Sequence, residues 1–234
     1  GNWRKNGFEG RARTGVAQLL QRATIYTALS QMRRVSSSIK PEQKLSLPRY
    51  IHGTHRGRLC YVETPEGSSC GLESQLAVGA YISIAYPTDI ICQLLRYHLT
   101  SHGKLVFVNG SPIGFGDQSV VNVIRAARRS GQIAKDVSVA DSEYICIRCN
   151  SGRICRPLII LPRRIKSFQE MLDQGLMEYV DAYEENTLLV SPEGTHVELD
   201  STILMGLCAA TIPYSNCNPA PRNTYQAAMM KQAQ

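Results

Sequence analysis

Apolar positions recur near the helical period through Val16, Leu19, Leu20, Ala23, Tyr26, Ala28, Leu29 and Met32. No Gly or Pro interrupts after Gly15, so the pattern predicts a helix over 13–34. A polar loop follows at 36–44, with Lys40, Pro41 and Lys44. Residues 58–86 alternate short apolar runs with a turn at 64–69. Ile90, Ile91, Leu94 and Leu95 mark a helix over 88–101. Residues 104–109 read as a strand. A Gly-rich turn and a helix over 118–129 come next, with Gly131 placed to cap it. Residues 143–149 and 153–161 read as a hairpin around Asn150-Ser151-Gly152. A short helix over 167–174, strands at 188–190 and 196–199, a buried helix over 201–211 and a last helix over 221–234 complete the pattern. This order of elements predicts an α+β fold of helices and antiparallel hairpins, part of a larger body, and argues against a doubly wound parallel sheet. Soft boundaries fall near 96–103 and 186–200, with the middle segment an excursion from the rest.

With 234 residues, 43% hydrophobic and 19% charged, the chain has the composition of a globular protein and not of a disordered one. No run of about 18 apolar residues predicts a membrane span. No secretory leader is visible, the first residue is not Met, and the chain is expected to be a piece of a longer one or a processed product. Charge changes the picture more. Residues 1–60 hold 12 Lys and Arg against two acids, whereas residues 167–221 hold nine acids and no Lys or Arg. A basic end on an ordinary body suits a polyanion; a solvated basic surface is the plainer alternative.

Eight cysteines at irregular spacing, mostly in apolar runs, fit free thiols in a reducing intracellular compartment. Cys146 and Cys149 with Cys155 make half of a zinc pattern, with His98 and His102 as remote further ligands. The chain has no P-loop, dinucleotide fingerprint, nucleophile elbow or tight carboxylate cluster. From the residues alone it is a basic binding module, with no catalytic residue in this segment and no metal site assigned.

Three stretches add to this. They are Arg33-Arg34-Val35-Ser36; His52-Gly53-Thr54-His55-Arg56-Gly57 running on to Val62-Glu63-Thr64-Pro65-Glu66-Gly67-Ser68-Ser69-Cys70-Gly71-Leu72; and Pro219-Ala220-Pro221-Arg222-Asn223-Thr224-Tyr225-Gln226 running on to Lys231-Gln232-Ala233. In order and spacing they resemble the second-largest, beta-type subunit of multisubunit DNA-directed RNA polymerases. The Arg-Asn-Thr-Tyr-Gln form is most similar to the archaeal, eukaryotic and large-DNA-virus branch.

The resemblance implies a fork and active-centre region over 1–100, an external region over 101–186 and the start of a hybrid-binding region over 187–234. It implies that Arg222 reaches the triphosphate of the incoming nucleotide, where a guanidinium offers a bidentate fork, and that Tyr225 positions that nucleotide. Gln232 and Lys231 would lie near the RNA 3′ end. Arg34, Lys40, Lys44 and Arg49 would contact DNA or RNA phosphates. Glu66 would orient basic groups, while Pro65 and Gly67 fix the turn. The implied partners are the largest polymerase subunit and other subunits, a DNA template, RNA product and ribonucleoside triphosphates, with no membrane. Mg2+ would act in the assembled enzyme with ligands mainly on another subunit, in nucleus or cytoplasm, a viral factory or virion included. The rival reading is a non-catalytic nucleic-acid-binding or assembly module that keeps the scaffold.

Overall fold

The computed structural model describes residues 17–160, 171 and 174–232. In chain order its elements are α1 (Ile25–Met32), β1 (Arg34–Ser36), β2 (Glu73–Gln75), β3 (Tyr81–Ile82), α2 (Thr88–Leu95), β4 (Lys104–Val108), β5 (Ser111–Gly116) and α3 (Gln118–Arg129). Then come β6 (Ser138–Asp141), β7 (Ile145–Arg148), β8 (Ile154–Ile160), β9 (Met177–Val180), α4 (Ala182–Glu185), β10 (His196–Glu198), α5 (Leu207–Ala210) and α6 (Ala220–Met229). The mixture is α+β, as the pattern predicts. Among the described residues no helix is long and apolar enough to cross a membrane.

The chain divides into two compact units. One comprises residues 1–49, 62–75 and 207–234; the other comprises 50–61 and 76–206. In the first unit, β1 and β2 pair antiparallel, Arg34 opposite Gln75 and Ser36 opposite Glu73. The helix expected over 13–34 is shorter. Residues 13–16 lie outside the described residues, and 17–23 are not helical. Thr24 caps the helix: its extended backbone stops the spiral, and its hydroxyl accepts the Thr27 N–H at 3.1 Å. The Gln31 side chain then binds Leu19 O and Gln21 N, each at 2.9 Å, which holds the incoming chain in a non-helical path.

The second unit is built on the sheet β5-β4-β7-β6, in which β4 and β7 run parallel and the other pairs antiparallel. The helix expected over 118–129 forms on those residues. Asp117 caps it, and Gly131 follows its end at a φ of +78°. Its Val120, Val121, Ile124 and Ala127 join Ile91, Leu95, Val106, Val108, Val139, Ile145 and Ile147 in one buried core. The helix expected over 88–101 ends at Leu95.

The hairpin expected across 143–161 does not form, although Gly152 turns the chain at a φ of +84°. Strand β7 belongs to the first sheet. Strand β8 is the antiparallel partner of β3, β9 and β10. The reason is a competing segment at 83–86. Tyr86 N–H donates to Cys149 O, Gly152 N–H to Ser83 O, and Arg153 N–H to Ser83 Oγ. These bonds take the groups a hairpin would have paired. The helix expected over 201–211 is also broken, into a 3-10 turn at Thr202–Leu204 and α5, because Val78 N–H draws the Met205 carbonyl away. Of the strand expected at 188–190, only a single bridge from Val190 to His196 is present, and the helix expected over 167–174 falls almost wholly outside the described residues.

Ion pairs brace the second unit. Buried Arg156 binds Glu185 at 2.5 Å and Glu198 at 2.7 Å, Arg56 also grips Glu198, and Arg58 reaches Glu185 at 2.7 Å. The Arg56 hydrogen bond, with Arg156 behind it, lowers the Glu198 carboxyl to about 2. Arg153 ties Asp181 at 3.0 Å. All eight cysteines are free thiols. Cys146 and Cys155 stand in different sheets, and burial pushes the Cys155 thiol up to about 12.

Candidate functional site

The first unit contains a cavity of about 800 Å³. Its walls come from four stretches of chain: Gln21 to Thr27, Arg34, the Glu63–Gln75 turn and strand, and Tyr225 to Gln232. The turn is closed by Thr64, whose Oγ1 accepts Gly71 N–H and donates to Glu73 O, both at 2.9 Å. Glu66 stands at the start of a single 3-10 turn over Gly67–Ser69, and Gly67 adopts a φ of +83°. Pro65 and Glu66 thereby reach the cavity wall.

Arg49 lies against the back of this turn. Its guanidinium donates to Ser68 O at 2.5 Å and Cys70 O at 2.9 Å, and to the carbonyls of Pro41, Gln43 and Leu45. One side chain thus stitches the 41–45 loop, with Lys40 and Lys44, to the Glu66–Gly71 turn. Gly71 fits there because its φ is +75° and a Cβ would stand 2.5 Å from Arg49 O.

Helix α6 starts with Pro221 in its first turn, and buried Asn223 anchors it by donating to Ser215 O at 2.7 Å. It ends at Met229, so Gln232 stands in a turn beyond the helix, not two helical turns along one face. The turn nevertheless places Lys231 and Gln232 in the same cavity wall as Tyr225. The carbonyls just past the end of α6 lack helical donors. Thr24 Oγ1 donates to Met230 O at 3.3 Å, and Thr27 Oγ1 donates to Lys231 O. Lys231 Nζ pairs with buried Glu63 at 2.9 Å, and Ser30 Oγ donates to the same Glu63 oxygen.

Among the expected residues, Arg34, Pro65, Glu66, Tyr225, Lys231 and Gln232 therefore share one cavity. Arg222 does not. It lines a second, smaller cavity of about 340 Å³ with Asn218 and Gln226, and Tyr225 walls both. Gly67 sits in the turn behind the wall, and Arg49, Lys40 and Lys44 lie outside it. Arg34 stands 3.6 Å from Glu73. Arg222, Lys40 and Lys44 are exposed and form no ion pair among the described residues. Three residues that organise the cavity went unassigned in the sequence: Glu63, Thr24 and Thr27. Glu63 carried a signal, as the first Glu of Glu-Thr-Pro-Glu-Gly behind the apolar Cys60-Tyr61-Val62. Thr24 and Thr27 carried none beyond an N-cap pattern.

The sequence matches the family models RNA polymerase Rpb2, domain 3, over residues 18–82, and RNA polymerase Rpb2, domain 4, over 106–162. It is 33% identical to the DNA-directed RNA polymerase II subunit RPB2 of Encephalitozoon cuniculi, covering 100% of this chain and 25% of that one. It is 37% identical to the DNA-directed RNA polymerase III subunit RPC2 of Schizosaccharomyces pombe, over 100% of this chain and 23% of the relative. With subunit Rpo2 of Saccharolobus solfataricus the identity is 35%, over 94% and 24%. The chain thus belongs to the second-subunit family of multisubunit DNA-directed RNA polymerases. Within that family these relatives are eukaryotic and archaeal, and the chain spans about a quarter of their length.

Proposed function

We propose that the chain is a working segment of a DNA-directed RNA polymerase, contributing fork, hybrid and incoming-nucleotide contacts to template-directed addition of ribonucleotides to an RNA 3′ end. The observation that carries this reading is the shared cavity, which gathers Tyr225, Lys231 and Gln232 with the Glu63–Glu66 turn and Arg34. In this reading Arg222 neutralises the triphosphate as pyrophosphate leaves, and Tyr225, which with Met229 lines both cavities, orients the nucleotide between them. Gln232 steadies the RNA end through its amide. Lys231, held by Glu63, presents its charge at a fixed point. Lys40 and Lys44, on the loop that Arg49 clamps, contact phosphates without reading bases.

Among the described residues no three His, Cys, Asp or Glu side chains converge to hold a metal ion. Glu63 and Glu73 are instead engaged by Lys231 and Arg34. In this reading the magnesium of the assembled enzyme takes its ligands mainly from another subunit, and the partners are the largest and other polymerase subunits.

The test is single-nucleotide incorporation by the assembled enzyme carrying Tyr225→Ala. Weakened nucleotide affinity with template binding intact supports the reading. Binding of nucleic acid with no effect of Tyr225 or Arg222 on any turnover supports a retained-scaffold binding module instead.

A further inference from the structure

In the second unit, α3 and the segment from Leu188 to His196 enclose a groove of about 770 Å³. Beneath it lies a buried ionic cluster in which three guanidiniums share two carboxylates. Glu184 is held bidentately by Arg128, at 2.8 and 2.9 Å, and also accepts Val139 N–H. Glu178 accepts from Arg129 at 2.8 Å through one oxygen, which Arg128 also approaches at 3.1 Å. Its other oxygen meets His196 Nε2 at 2.9 Å. Both carboxylates are therefore occupied.

Arg125 is left over. Its side chain is four-fifths buried; among the described residues its Nε has no hydrogen-bond partner, and its one ion pair is a loose 3.9 Å approach to Glu184. An arginine in that state is costly, because a desolvated guanidinium needs an acceptor for its fork. Burial accordingly pulls the Arg125 pKa below its usual value, and Glu184 only partly offsets this.

The groove beyond Arg125 is not a simple anion pit. Asn122 and Thr195 give it polar edges, while Leu188 and Leu189 give it an apolar side, with Leu189 64% exposed. We infer that this groove is a docking site for an acidic polypeptide segment, an Asp or Glu carboxylate binding the Arg125 fork and a neighbouring aliphatic side chain packing on Leu188 and Leu189. The missing third carboxylate supplies the charge complementarity, and the apolar wall favours a peptide over a free anion. The inference is independent of the polymerase reading, since it uses no residue of the first unit.

The experiment is fluorescence anisotropy on the whole purified protein at physiological salt. The probes are a fluorescein-labelled Gly-Leu-Glu-Leu-Gly peptide and its Gln counterpart. Saturable binding of the Glu peptide is expected, weakened about tenfold or more by the Glu-to-Gln change in the peptide, and equally by Arg125→Gln. Leu189→Ser, a surface change that does not depend on Arg125→Gln folding, is expected to weaken the peptide and leave inorganic phosphate unaffected. Equal binding of the two peptides, an unchanged affinity in either variant, no binding at millimolar peptide, or phosphate competing as well as the peptide would each overturn the inference.

Discussion

Arg49 and Gly71 show how much of this chain turns on single contacts. The guanidinium of Arg49 is shared among five backbone carbonyls, and Gly71 leaves room for its main chain. Gly71→Ala meets two penalties, a left-handed φ and a Cβ 2.5 Å from a carbonyl oxygen. We expect it to cost about 2–4 kcal/mol, measured by denaturant unfolding. Gly53→Ala, where nothing lies within 4 Å, is the control and should stay within about 0.5 kcal/mol. At this scale the sequence was legible where a motif carried the residue. Pro65, Glu66, Tyr225, Lys231 and Gln232 meet in one wall. It was not legible where a role depends on a distant partner. Nothing near Glu63 in the sequence names Lys231, and Arg49 looks like any basic residue until its acceptors are seen.

At the scale of elements, α1 and α6 are joined by hydroxyl-to-carbonyl bonds that no local pattern reveals. Thr24 and Thr27 supply donors to the Met230 and Lys231 carbonyls just past the end of α6 and so fix where Lys231 and Gln232 emerge. Thr27→Val keeps the shape and removes the donor. It should cost about 1–2 kcal/mol in the same unfolding measurement. Element boundaries followed the same logic. Helix α3 was legible because Asp117, the apolar face and Gly131 agree locally. The hairpin at 143–161 does not form because Ser83 and Tyr86, remote in the chain, claim the decisive hydrogen bonds, and the long first helix is cut short because the Gln31 side chain bonds the backbone at Leu19 and Gln21.

Over the whole molecule, charge divides with the folding units. Among the described residues the first unit holds eight Lys and Arg against four acids, the second 11 against 12. Among the described residues the excess that suits nucleic acid thus belongs to the unit with the candidate cavity, whereas in the second unit many of the charges pair with one another. That internal use has a pH signature. Burial works against it, but the Glu178 carboxyl is held below its ordinary value by a hydrogen bond from His196 and by Arg128 and Arg129, and Glu198 is held at about 2 by hydrogen bonds and charge from Arg56 and Arg156. A carboxyl with a depressed folded pKa stabilises the fold above its unfolded pKa and loses that contribution as pH falls toward its folded value. Denaturation midpoints should therefore fall from about pH 5 toward pH 2, with a shallower slope in Glu198→Gln. A parallel slope in that variant would show that Glu198 contributes nothing to the decline.

The central claim is that the first unit serves nucleotide addition, and Arg222 tests it most directly because it is exposed and forms no ion pair among the described residues. The measurement is the incorporation rate at saturating nucleotide by the assembled enzyme carrying Arg222→Ala, alongside its affinity for template. The account predicts a rate lowered about 10- to 100-fold, from the loss of one charge-assisted fork on the triphosphate, with template affinity nearly unchanged. An unchanged rate would contradict it.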